Sequence, residues 1–189
     1  MKSRQHDPLR LDVAALAGEG QTLQGAWPGE SLERLASMQT PPQDQALRPV
    51  EWSAEGLRKP VTGGEAEIWL HLQARASFWL TCQRCLQPFQ VPVKVDRRLR
   101  FVRGESQAET LDAESEDDVL ALPRALDTRE LVEDELLLEM PIVPRHEGPC
   151  PQPLPMAAEP DPALLEAVPE RPNPFAALQA LKKKGDAEG

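Results

Sequence analysis

Leu80-Thr81-Cys82-Gln83-Arg84-Cys85-Leu86-Gln87-Pro88-Phe89 is a Cys-x-x-Cys turn set between two runs of alternating apolar and polar residues. Upstream, Ile68, Leu70, Leu72, Ala74, Ala76, Phe78 and Leu80 occupy even positions, while Glu67, His71, Gln73, Arg75, Ser77 and Thr81 occupy odd ones. Successive side chains of a strand point to opposite faces, so this is the pattern of a long strand with one face buried. Downstream, Phe89, Val91, Val93 and Val95 repeat the alternation on odd positions, and Leu99 and Phe101 continue it. The two runs are predicted to pair as an antiparallel hairpin with the Cys-x-x-Cys turn at its tip.

Working outward from the hairpin, residues 50–59 read as a strand closed by Pro60 and the Gly63-Gly64 turn. Residues 9–18 place Leu9, Val13 and Leu16 at helical spacing, with Gly18 as a stop. Ser31 resembles an N-cap for a second short helix carrying Leu32, Leu35 and Met38, ended by Pro41-Pro42. Residues 105–118 are acidic and poor in large apolar side chains, so a mobile loop is expected there. Val119-Leu120-Ala121-Leu122 is a short strand candidate. Asp127 or Thr128 then caps a helix, with Glu130 at capping-box distance from Asp127, whose apolar side is Leu131, Val132, Leu136, Leu137 and Leu138. Together these predict an α+β fold: a small antiparallel sheet or partly open barrel built on the long hairpin, with short covering helices.

The 189 residues include 20 prolines and no tyrosine, and only 4% are aromatic, which limits the core to one modest domain, residues 1–150. Residues 151–172 are crowded with proline and acid, and a disordered linker is expected there. In residues 173–184, Asn173 is an N-cap, Pro174 suits the first helical position, Phe175, Leu178 and Leu181 form an apolar stripe, and Lys182, Lys183 and Lys184 favour a helix C-terminus. A short amphipathic helix is predicted, docking on a partner or on its own domain. The sequence has neither an apolar run of membrane-spanning length nor a signal peptide, so a cytoplasmic protein without membrane contact is expected.

A net charge of -10 disfavours a broad nucleic-acid-binding face. The one dense basic cluster is Lys94, Arg98 and Arg100 with Arg97 and Arg103 adjoining, either a solvated sheet face or a local phosphate-binding stripe. Cys82-x-x-Cys85 with His146-x-x-x-Cys150 is the inventory of a closed, structural Zn2+ site of three thiolates and one imidazole. Free thiols on a tight hairpin are the alternative. A thioredoxin-like redox pair belongs at the start of a helix in a βαβ unit, whereas this one lies between strands. The acids Glu130, Glu133, Asp134, Glu135 and Glu139 are read as exposed helix charge rather than paired catalytic carboxylates. With no phosphate loop or nucleophile elbow beside them, a non-enzymatic protein is expected.

Three blocks in order, the Cys82–Pro88 turn, Leu131–Leu138 leading through Met140-Pro141-Ile142-Val143-Pro144 to His146 and Cys150, and Pro172–Lys182, resemble the YceD family of bacterial proteins, named for large ribosomal RNA subunit accumulation. The resemblance runs from about residue 65 to residue 184. It implies support of the synthesis, processing or stability of 23S ribosomal RNA without a known catalytic reaction, and carries no active-site residues. The implied partner is 23S ribosomal RNA or its precursor, met directly or through ribosomal or assembly proteins. Direct RNA or partner contact is then expected at Arg97, Arg98 and Arg100 and at Phe175, Leu178, Lys182 and Lys183. The alternatives are a zinc-stabilised protein-interaction adaptor without RNA contact, and a small thiol-redox or nuclease-type enzyme.

Overall fold

In the computed structural model, which describes residues 6–152, the chain runs α1 (Val13–Glu19), β1 (Thr22–Trp27), a single 3-10 turn (Gly29–Ser31), α2 (Glu33–Met38), β2 (Val50–Lys59), β3 (Glu67–Thr81), β4 (Pro88–Val102), α3 (Glu105–Glu114), β5 (Asp118–Ala121) and α4 (Thr128–Leu138). The helix expected at 173–184, with Phe175, Leu178, Lys182 and Lys183, and nearly all of the linker expected at 151–172 lie outside the described residues.

The alternating runs become the two longest strands. The register Ile68↔Phe101, Leu70↔Leu99, Ala76↔Val93 and Leu80↔Phe89 puts the even positions of β3 and the odd positions of β4 on one face. Trp52↔Ala74 and Ala54↔Leu72 extend that face to β2, and Leu23↔Ala54 and Trp27↔Val50 extend it to β1. The five strands form one open sheet in sequence order, antiparallel except where β5 runs parallel to β4. On the apolar face, Leu11, Val13 and Leu16 around α1, Leu32 and Leu35 around α2, and Val132 and Leu136 of α4 join the core. Each such fully buried leucine contributes about 1.5–3 kcal/mol from area removed from water. Gly56 is the point of closest approach, since a Cβ there would stand 2.5 Å from Ala17 N in α1. Pro88 and Pro92 lie where β4 has no strand beyond it, and their missing N–H groups deny that edge to an added strand.

Several local expectations are corrected. The first helix begins at Val13, because Asp12 caps it by accepting from Ala15 N at 2.9 Å, and it ends at left-handed Gly20, leaving Gly18 inside it. Leu9 is exposed, while Leu11 pairs with Leu126 in an isolated bridge. β1 was not anticipated: it is an edge strand in which only Leu23 and Trp27 are half-buried, too few to register as alternation. Ser31 caps nothing beyond its own turn, where its hydroxyl donates to Pro28 O. Residues 105–118 are not a loop: Glu105–Glu114 is helical, with Ala108 buried and α3 packed against β5. The segment lacks Gly and Pro and is rich in helix formers, so one small apolar contact and the Asp112 carboxylate accepting from Val119 N at 3.0 Å suffice to seat it.

Glu133 is not exposed helix charge either. It is buried, and its carboxylate accepts from the backbone N–H groups of Arg34 at 2.8 Å and Leu35 at 3.1 Å. Helix α2 has Leu32 at its N-cap and no side-chain cap of its own, so Glu133 supplies one from 98 residues away. Of the two cap candidates for α4, Asp127 is the cap, accepting from Arg129 N and Glu130 N, and Thr128 is the first helical residue. Among the described residues no helix is long and apolar enough to cross a membrane.

Glu133→Ala is expected to lower unfolding free energy by about 2 kcal/mol, because it strands two helix-terminal donors in a buried site. Asp134→Asn, on the exposed ion pair with Arg34, is expected to change it by less than about 0.5 kcal/mol. Urea denaturation followed by far-ultraviolet circular dichroism separates the two.

Candidate metal centre

The hairpin outruns the sheet. Pairing of β2 to β3 stops at Glu51↔Arg75 and β5 pairs only with the far end of β4, so residues 76–93 project as a two-stranded arm. A two-stranded ribbon is marginal by itself in water. One edge is covered where Thr40 N donates to Trp79 O at 2.9 Å and Gln39 Oε1 accepts from Trp79 N. The tip is held by the segment that follows α4.

At the tip, Leu86 N donates to Cys82 O at 2.8 Å and Cys82 N donates to Gln87 O at 2.9 Å, closing a knuckle with Leu86 in the left-handed region at φ 58°. The returning segment docks on it through Gln83 N donating to Pro144 O at 2.9 Å and the His146 ring lying 4.5 Å from that of Phe89. Arg84 Nη2 donates to His146 O at 2.6 Å and Gly148 O at 2.5 Å. These contacts bring the two halves of the spacing motif together: one donor atom each from Cys82, Cys85, His146 and Cys150 lie within 4.8 Å of one another.

The separations Cys82 Sγ to Cys150 Sγ, 3.9 Å, and Cys85 Sγ to His146 Nδ1, 3.7 Å, are close to the edges of a tetrahedron, about 3.5–3.8 Å, set by Zn–S and Zn–N bonds. Four protein donors leave no open position for substrate, and Cys82 and Cys85 are fully buried. The cluster is able to hold a metal ion, and in chemistry it suits a closed, structural one. None of the three cysteines is in a disulfide. Burial by itself would raise the Cys82 thiol, but backbone N–H groups of His146, Arg84 and Cys85 directed at its sulfur bring it down to about 5. Burial, reinforced by the neighbouring Cys85 and Cys82 sulfurs, pushes Cys150 up to about 11. The donor set thus contains one sulfur already favoured as thiolate, the form that ligates metal.

The expected basic stripe is divided by the fold. Arg97 pairs in register with Leu72, so it lies on the helix-covered face, bound to Glu135 at 3.3 Å and Glu139 at 2.8 Å of the α4 region. Arg100 is held by Glu67 at 2.7 Å. Lys94 and Arg98 remain exposed on the opposite face. That face also carries an unforeseen cluster: His71 lies 2.7 Å from Asp96 and 3.7 Å from Glu55, and hydrogen bonds from Gln73 and His71 hold the Asp96 carboxyl below its usual range. Arg84 was likewise missed as part of the centre, for an arginine between two cysteines has no spacing signature; only the distant carbonyls give it a task.

The family model described as Large ribosomal RNA subunit accumulation protein YceD matches residues 70–182. A Haemophilus influenzae protein described as "Large ribosomal RNA subunit accumulation protein YceD" is 27% identical over 179 residues, covering 94% of this chain and 97% of its own length. No solved structure matches the chain.

The two shifted thiols make the stability of the reduced, chelator-treated protein pH-dependent. Cys82, depressed from 9.0 to about 5, contributes stability that is present above pH 9 and lost as pH falls through 5. Cys150, raised to about 11, contributes stability that is present below pH 9 and lost as pH rises through 11. Denaturation between pH 5 and 9 is expected to show falling stability toward acid, and Cys82→Ser to flatten that slope.

Proposed function

Because the chain belongs to the YceD family, we propose that it is a non-catalytic factor supporting the synthesis, processing or stability of 23S ribosomal RNA in the bacterial cytoplasm. The observation that carries this reading is the near full-length relation to a protein described by large ribosomal RNA subunit accumulation. Geometry favours a binding protein over an enzyme. Cys82 and Cys85, the residues best placed for thiol chemistry, are fully buried, and Glu133 is committed to capping α2.

In this reading Cys82, Cys85, His146 and Cys150 hold a structural Zn2+ that closes the hairpin arm. Exposed Leu86, Ile142 and Val143, in the turn and in the segment leading to His146, present apolar surface beside the clasp. The 23S RNA or its precursor is reached there through a ribosomal or assembly protein. Direct RNA contact falls chiefly to Arg98, joined by Phe175, Leu178, Lys182 and Lys183; Arg97 and Arg100 contribute only if their ion pairs with Glu135, Glu139 and Glu67 open. A zinc-stabilised adaptor without RNA contact is the second reading, favoured by the net charge of -10.

Deleting the gene in its own host is expected to lower 23S relative to 16S ribosomal RNA on a denaturing gel, with recovery on complementation; an unchanged ratio overturns the proposal. In-cell crosslinking then distinguishes attached RNA from attached protein. Elemental analysis of untagged, reduced protein is expected to find about one Zn per chain, and less than about a tenth of an equivalent overturns the zinc assignment.

A further inference from the structure

We propose that Arg84 is the positioning residue of the metal centre, holding the remote ligands His146 and Cys150 onto the hairpin knuckle. This rests on the zinc reading above. His146 and Cys150 lie on a segment without helix or strand, 61 and 65 residues beyond Cys85, so nothing in their own local structure fixes them. Arg84 lies inside the knuckle, flanked by Gln83 and Cys85, and reaches out of it with one guanidinium nitrogen to two carbonyls, His146 O at 2.6 Å and Gly148 O at 2.5 Å. Those carbonyls flank Glu147, and Gly148 precedes Cys150 by two residues. Holding the His146 carbonyl from the Arg84 side leaves the His146 N–H directed at Cys82 Sγ and the ring Nδ1 facing Cys85 Sγ at 3.7 Å. Bonds from a charged donor to neutral carbonyls are stronger than ordinary amide pairs, and here one guanidinium nitrogen makes both.

The backbone bond from Gln83 N to Pro144 O anchors the same segment two residues before His146. It does not reach the stretch between the two ligands, which only Arg84 spans among the polar contacts described. Arg84 has no carboxylate partner among the described residues, and its guanidinium hydrogen bonds go to these carbonyls. Groups that orient ligands from behind typically change metal affinity by about 10- to 100-fold when removed.

The test is competition of the full-length reduced protein against a chromophoric chelator for Zn2+, with Co2+ absorption reporting ligand geometry. Arg84→Met is expected to weaken Zn2+ binding by about 10- to 100-fold, with altered Co2+ bands. Arg84→Lys, which keeps a charged donor on a shorter side chain, is expected to recover part of the loss. Arg145→Met, exposed on the same segment, is expected to stay within about twofold of wild type. Circular dichroism of each metal-free variant checks folding; should Arg84→Met not fold, Arg84→Lys carries the comparison. Wild-type affinity and spectra in both Arg84 variants overturn the positioning role while leaving the zinc site standing. Failure of the wild-type protein itself to bind metal overturns both.

Discussion

The pairing register of β3 with β4 is the constraint from which the rest of the structure follows. A shift of one residue would turn Leu70, Leu72, Phe78 and Leu80 to solvent and bring His71, Gln73 and Arg75 into the core. With the register fixed, the polarity of each face is fixed as well. The apolar face then requires covering by α1, α2 and α4, and the hairpin tip falls where the sheet has already ended.

A core this small is supported by polar contacts that join distant parts of the chain. Glu133 of α4 caps α2, Arg97 of β4 ties to Glu135 and Glu139, and Leu11 exchanges backbone bonds with Leu126. Each links the N-terminal layer or the sheet to the α4 region. The same region leads into the segment carrying His146 and Cys150, so packing of α4 and assembly of the metal centre are mechanically continuous. An acidic helix that reads as a solvated surface is thereby the hub between the helical layer and the clasp.

Beyond the five-stranded part of the sheet, residues 76–93 continue as a two-stranded ribbon. The projecting ribbon has one edge covered near Thr40 and the other guarded by Pro88 and Pro92, which discourages strand addition. Its tip carries the cysteine knuckle and exposed Leu86, and exposed Ile142 and Val143 lie in the segment that docks on it. Such an arm suits docking within a larger assembly, in keeping with a family described by ribosomal RNA accumulation.

The sequence by itself determined the hairpin, its faces, the β2 strand, the start of α4 at Asp127 or Thr128 and the four metal-ligand candidates, because period-two alternation, capping chemistry and ligand spacing are local signals. It did not determine β1 or α3, whose few apolar side chains are made sufficient by neighbouring elements. Nor did it determine which charges are free. Arg97 and Arg98 are adjacent in the chain, but the pleat sends one to Glu135 and Glu139 and the other to solvent. Glu133 and Asp134 are adjacent too, and the turn of the helix buries one as a cap and leaves the other exposed. Only the tertiary structure could decide these, since a charged side chain's role is set by the partner that folding places opposite it, often a hundred residues away in sequence.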